Sequence, residues 1–218
     1  MSEPEEVKVL QPGQGPQGEI DWNSVTEAEL RQRATVFSYK LYAARKKLRV
    51  QPIWVRFIAA HIYVDHILTT LIKDNMPNPG ALVKSTGRRK YLIDKLEICE
   101  AMGWLPKELA TVVKRLNSLR NGFAHELNFE VPKADIDSFL AIFPKQVKEP
   151  AEETLAQKRA GARDNVLSMH LEVFLVTLDL QRQAVLMTRY LARHRERELG
   201  KAMLNARRVL QSVGALDK

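Results

Sequence analysis

One cysteine, Cys99, in 218 residues excludes a disulfide within the chain and rules out Cys₄ and Cys₂His₂ zinc sites. Glycine and proline are sparse at ten each, and three of each fall within the first eighteen residues. The remainder is therefore poor in chain breakers, which leans it toward helix. No uncharged apolar run approaches the roughly 18 residues that a membrane span needs. The acidic start, Met1-Ser2-Glu3-Pro4-Glu5-Glu6, lacks the apolar centre of a signal peptide. These absences read as a cytoplasmic chain without membrane attachment. A Gly-rich phosphate loop and the local signature of a serine or cysteine triad are missing too, so nucleotide hydrolysis and triad chemistry have no support.

What is present suits a globular core. Hydrophobic residues make up 45% and charged residues 28%, and the length fits one domain or a domain with an appendage. Thirty-four Lys and Arg against 26 Asp and Glu leave a net charge of +8 and a pI near 9.6. That surplus favours polyanionic partners through phosphate contacts and counterion release.

Along the chain, residues 1–19 carry Gln11-Pro12-Gly13-Gln14-Gly15-Pro16-Gln17-Gly18 and read as a disordered tail. Ser24 and Glu27 form a capping-box pattern for a helix to about Leu48, with Leu30, Ala34, Phe37, Leu41 and Ala44 at helical spacing. Pro52 separates it from a largely buried helix over about 53–74, carrying Ile58, Ile62, Ile67, Leu68, Leu71 and Ile72. A loop follows, then a helix over 88–101, then one that starts near Pro106 and runs toward His125. A short helix over 134–143 is stopped by Pro144. Residues 144–163 read as a linker, and 164–218 as two further helices, about 164–193 and 196–213, packing on the bundle or on a second copy. The expected architecture is an all-α bundle, its main domain over 20–143, with extra C-terminal helices.

The polar end of the amphipathic helix that carries Leu109, Val112, Val113, Leu116 and Leu119 is Arg120-Asn121-Gly122-Phe123-Ala124-His125. Residues four apart share a helix face, so Asn121 and His125 project together, and the long stem of Arg120 reaches over the same spot. A guanidinium that holds an anion beside an imidazole of ordinary pKa about 6.5 is a minimal kit for phosphodiester cleavage. RNA brings its own nucleophile, the 2′-OH, so no metal or other cofactor is required. A structural reading stands beside this one: Arg and Asn at a helix end tie up open carbonyls, and a histidine there suits the helix dipole.

The run Leu116-Asn117-Ser118-Leu119-Arg120-Asn121-Gly122-Phe123-Ala124-His125-Glu126 resembles the Arg-(Asn/Asp/His)-x3-His signature of the HEPN superfamily. Lys95-Leu96-Glu97-Ile98-Cys99-Glu100-Ala101-Met102-Gly103-Trp104-Leu105 and Ile62-Tyr63-Val64-Asp65-His66-Ile67-Leu68 are similar to segments of its mannitol operon repressor branch. The resemblance covers residues 53–143. It implies a HEPN-like helical fold and a homodimer in which two copies of the motif face each other. It also implies a metal-independent endoribonuclease of toxin–antitoxin or phage-defence type. On that footing Arg120 holds the scissile phosphate, His125 acts as general base or acid, and Asn121 orients the substrate or His125. RNA is the expected partner, with a cognate antitoxin or regulatory protein as a further one. The alternative implied by the same branch is a non-catalytic regulator, or a module that binds nucleic acid or protein.

Other polar groups compete for attention. Arg88, Arg89 and Lys90, with Arg115 on the motif helix, are candidate nucleic-acid contacts. His61, Asp65 and His66 interrupt an apolar helix with two members four apart. Without a fourth ligand they read as hydrogen-bonded core or interface residues rather than as a metal site, with Asp65 or His66 placed to orient the motif helix. Arg182, Arg189, Arg193, Arg195, Arg197, Lys201, Arg207 and Arg208 interleave with apolar residues in the last stretch. Dimerisation or core packing is expected of the apolar face there, ahead of nucleic-acid contact.

Overall fold

The computed structural model describes residues 20, 25–76, 79, 84–85, 88–89, 91–123, 131–158 and 163–212. Among them the chain is all helical apart from one two-residue pairing. The helices are α1 (Glu27–Thr35), α2 (Leu41–Val50), α3 (Ile53–Asn75), α4 (Leu92–Ala101), α5 (Lys107–Phe123), α6 (Lys133–Ala141), α7 (Lys145–Lys158) and α8 (Arg163–Ser212). The tail expected over 1–19 and the Ser24 cap lie outside the described residues.

The core forms around α3, which packs along α8 and against α2, α4 and α5. Phe57, Ala60, Val64, Ile67, Leu68, Leu71 and Ile72 recur every three or four residues on α3, and each is essentially inaccessible. α3 is also long and apolar enough to cross a membrane by length and composition. Here more than half of its most apolar stretch is covered by the bundle. Ile62 departs from the expected buried set and is exposed. An edge-to-face aromatic chain ties three helices together: Phe57 to Phe139 at 5.2 Å, Phe139 to Phe143 at 5.0 Å and Phe143 to Phe174 at 5.6 Å.

Four boundaries differ from expectation, each for a local reason. The helix read as 24–48 is two helices, broken at Val36–Lys40, and Thr26 is the N-cap, accepting from Glu29 N at 3.2 Å. Side chains from α3 and α8 satisfy the backbone groups that the break opens. Arg182 donates to Val36 O at 2.6 Å, Ser38 N donates to Asp179 at 3.2 Å, and His66 Nε2 lies 2.7 Å from Ser38 O. The helix read from 88 begins at Leu92, because Arg88–Arg89 pair antiparallel with Lys84–Ser85 and Asp94 caps Tyr91 N at 2.9 Å.

The linker read at 144–163 is largely helix α7, seated on α8 with Val147 and Ala151 fully buried. Pro144 opens this helix as well as ending the one before it, its carbonyl accepting from Val147 N and Lys148 N. The two C-terminal helices are one 50-residue helix, about 75 Å long. A lone Gly200 costs roughly 1 kcal/mol against Ala, too little to break a run rich in Arg, Glu, Leu and Ala. Every residue from His194 to Gln211 is exposed.

Candidate active site at the seam of three helices

The turn before α5 sets its direction. α4 ends at Gly103, whose φ of 67° suits glycine, with Trp104 N donating to Cys99 O at 2.9 Å. α5 then runs with Leu109, Val112, Val113 and Leu116 buried on one face. Asn117, Arg120 and Asn121, at positions i, i+3 and i+4, share a polar face.

Arg120 and Asn121 are exposed at the end of α5, and Arg120 Nη1 donates to Asn121 Oδ1 at 3.2 Å. Among the described residues no carboxylate pairs with Arg120. A Cβ at Gly122 would meet nothing within 4 Å, so the surface beside it is open. His125 lies outside the described residues.

An imidazole does reach this face, and it comes from α3. His61 Nε2 is 3.1 Å from Asn117 Oδ1, so Nε2 carries the hydrogen and Nδ1 is left as the basic nitrogen. Burial chiefly holds its pKa below the ordinary value, and the nearby cations Arg120 and Lys95 add to this. The Asn117 hydrogen bond and Asp65 push the other way. The neutral form is therefore favoured near pH 7. One turn along, Asp65 accepts from Lys95 Nζ at 2.6 Å, and Lys95 is itself buried on α4. A polar seam thus crosses α4, α3 and α5: Lys95 to Asp65, His61 to Asn117, Arg120 to Asn121.

The other expected sites resolve differently. Arg115 donates to Asp135 at 2.8 Å and to Ser138 Oγ at 3.3 Å, which clamps α6 onto α5. Arg88 and Arg89 sit in the two-residue pairing, and Lys90 lies outside the described residues. The expectation that Asp65 or His66 orients the motif helix is corrected: His61 meets that helix, whereas His66 holds the α1–α2 break. Arg182, read with the basic C-terminal set, is fully buried between Asp74 and Asp179, at 2.8 Å and 2.9 Å. Cys99 is buried too, its thiol pushed up to about 12 by burial, which makes it a poor nucleophile.

His61 and Asn117 are the site members that the sequence did not reveal. Their signal was present as polar residues at helical spacing, His61 with Asp65 and Asn117 with Asn121, but nothing local joins residues 56 apart. Chemically, the seam offers an exposed cation for an anion and a neutral imidazole within its electrostatic reach. Comparison of the chain with protein-family models, with curated proteins and with solved structures returns no match.

Proposed function

We propose that the protein is a HEPN-type, metal-independent endoribonuclease that acts as a homodimer and cuts RNA through its 2′-OH. The observation that supports this reading is an exposed Arg120, without a carboxylate partner among the described residues, beside the half-buried neutral imidazole of His61. A guanidinium used only to tie the helix end would be occupied by backbone carbonyls or carboxylates, whereas the partner of Arg120 among the described residues is the neighbouring Asn121 side chain. This one is turned outward at a position where a phosphate could reach it.

In the proposed reaction Arg120 holds the non-bridging oxygens of the scissile phosphate and offsets their growing charge. His125 takes the proton from the 2′-OH, or gives one to the leaving 5′-oxygen. Asn121 orients the phosphate or His125, and Asn117 with His61 braces the motif helix from the α3 side. Exposed Val50, Trp54 and Ile62 on α2 and α3 provide apolar area for a second copy.

The test is RNA cleavage in EDTA, comparing the parent chain with His125→Ala and Arg120→Ala. Each substitution is expected to slow cleavage about 100-fold or more. Arg120→Ala should leave the melting temperature unchanged, because its side chain is exposed. Cleavage that survives His125→Ala, or that depends wholly on added metal, rejects the mechanism. A large loss of melting temperature in Arg120→Ala favours the regulator reading, in which the motif is structural.

A further inference from the structure

A second feature lies at the opposite end of α5, about 20 Å along the helix from Arg120. The C-terminal end of α3, the turn between α4 and α5, and the middle of α8 enclose a cleft of about 680 Å³. That volume suits a small ligand. Met76, Met102, Trp104 and Val185 give it apolar walls, and among the described residues Arg189 is the one charged group in its lining. No acidic side chain of those residues lines it.

Arg189 is held in the wall by donating to Asn75 O. Burial depresses its pKa, and Arg193, one turn along α8, adds to the same positive field. Beneath the wall, Asn75 Nδ2 donates to Leu71 O at 2.9 Å, which orients the amide and leaves its buried Oδ1 without a donor among the described residues. That oxygen is sealed from the cleft and is an acceptor, so it takes no part in holding an anion, and Arg189 is the group that would. A half-buried cation in an apolar, aromatic-walled cleft complements an anion with an apolar body, because desolvation strengthens the charge-assisted hydrogen bond.

We propose that this cleft binds a small amphipathic organic acid, its apolar body against Trp104, Met76 and Met102 and its carboxylate on Arg189. The site is independent of the nuclease reading, and Arg120→Ala is expected to bind the acid like the parent.

The experiment titrates the full chain by calorimetry with 1-naphthaleneacetate, with its neutral counterpart 1-naphthalenemethanol, and with acetate. Saturable one-site binding of 1-naphthaleneacetate is expected, with the alcohol and acetate each about tenfold weaker or worse, the scale of one hydrogen bond to a charged group. Ala184 and Thr188 are exposed positions on the α8 wall, so Ala184→Trp and Thr188→Glu should fold with an unchanged melting temperature. The first fills the cleft and the second sets a carboxylate beside Arg189, and each should weaken binding about tenfold or more. The proposal is overturned by no saturable binding of 1-naphthaleneacetate at millimolar concentration. Equal binding of the alcohol, or binding that both variants leave unchanged, overturns it as well.

Discussion

His61 carries two loads at the residue scale, packing between helices and bonding Asn117 within the field of Arg120. Because its folded pKa is depressed, the folded chain binds this proton less readily than the unfolded chain does. The stability this contributes is fully present above the unfolded value of about 6.5 and is lost as pH falls through the lower folded value. His61→Gln removes the titration while keeping a group that can donate to Asn117. Urea unfolding at about pH 7.5 and about pH 5 should show the parent losing stability on acidification more steeply than the variant. Equal slopes would place the proton uptake elsewhere. Arg120 and Asn121 were legible in the sequence because they interrupt an apolar period at the end of a helix. The part of His61 was not, because its partner is Asn117, far away in the chain.

At the scale of elements, the break between α1 and α2 depends on groups that belong to neither helix. Periodic Leu30, Ala34, Phe37, Leu41 and Ala44 fit one continuous helix, and the local sequence holds no glycine or proline to oppose it. The chain opens at Val36 because Arg182 and Asp179 of α8 supply the hydrogen bonds that a continuing helix would supply itself. Burying those charges is tolerable only as a set, in which Arg182 spans Asp74 and Asp179. Burial pushes the Asp74 pKa up even with Arg182 and Arg33 beside it, so its charge depends on those two guanidinium groups. Arg182→Leu removes the buried cation between two carboxylates, leaving Asp74 with Arg33 at 3.8 Å, and is expected to cost about 3–5 kcal/mol in urea unfolding, with early hydrogen exchange in α1. A cost below about 1 kcal/mol would show that the network contributes little. The same kind of distant support explains α7. Its polar composition reads as a linker, yet Val147 and Ala151 find a buried seat on α8.

At the scale of the molecule, α8 is half scaffold and half projection. Leu171, Phe174, Leu178 and Leu186 are buried against the bundle, whereas Leu199, Met203, Leu204, Val209 and Leu210 are exposed. The final anchors to α1 are His194 and Arg197 on Glu27, at 3.1 Å each. Ending the chain after Glu198 should therefore leave the unfolding free energy within about 0.5 kcal/mol of the parent. If the projection touches RNA through Lys201, Arg207 and Arg208, the same truncation should also lower the salt slope of RNA binding, by about 0.9 for each duplex phosphate those side chains neutralise. An unchanged slope removes the projection from the RNA surface. A large drop in stability would mean that its apolar residues are covered, as by a second copy.

All-helical character, the buried face of α3 and the polar tip of α5 followed from the sequence alone, since scarce breakers and a three-to-four-residue apolar period are local properties. The break at Val36, the seating of α7, the unbroken length of α8 and the meeting of His61 with Asn117 were decided only by tertiary structure. Each depends on a hydrogen bond, a buried charge or a packing surface supplied by residues remote in the chain. A backbone group or imidazole takes its role from whichever partner folding brings to it, and no local pattern records that partner.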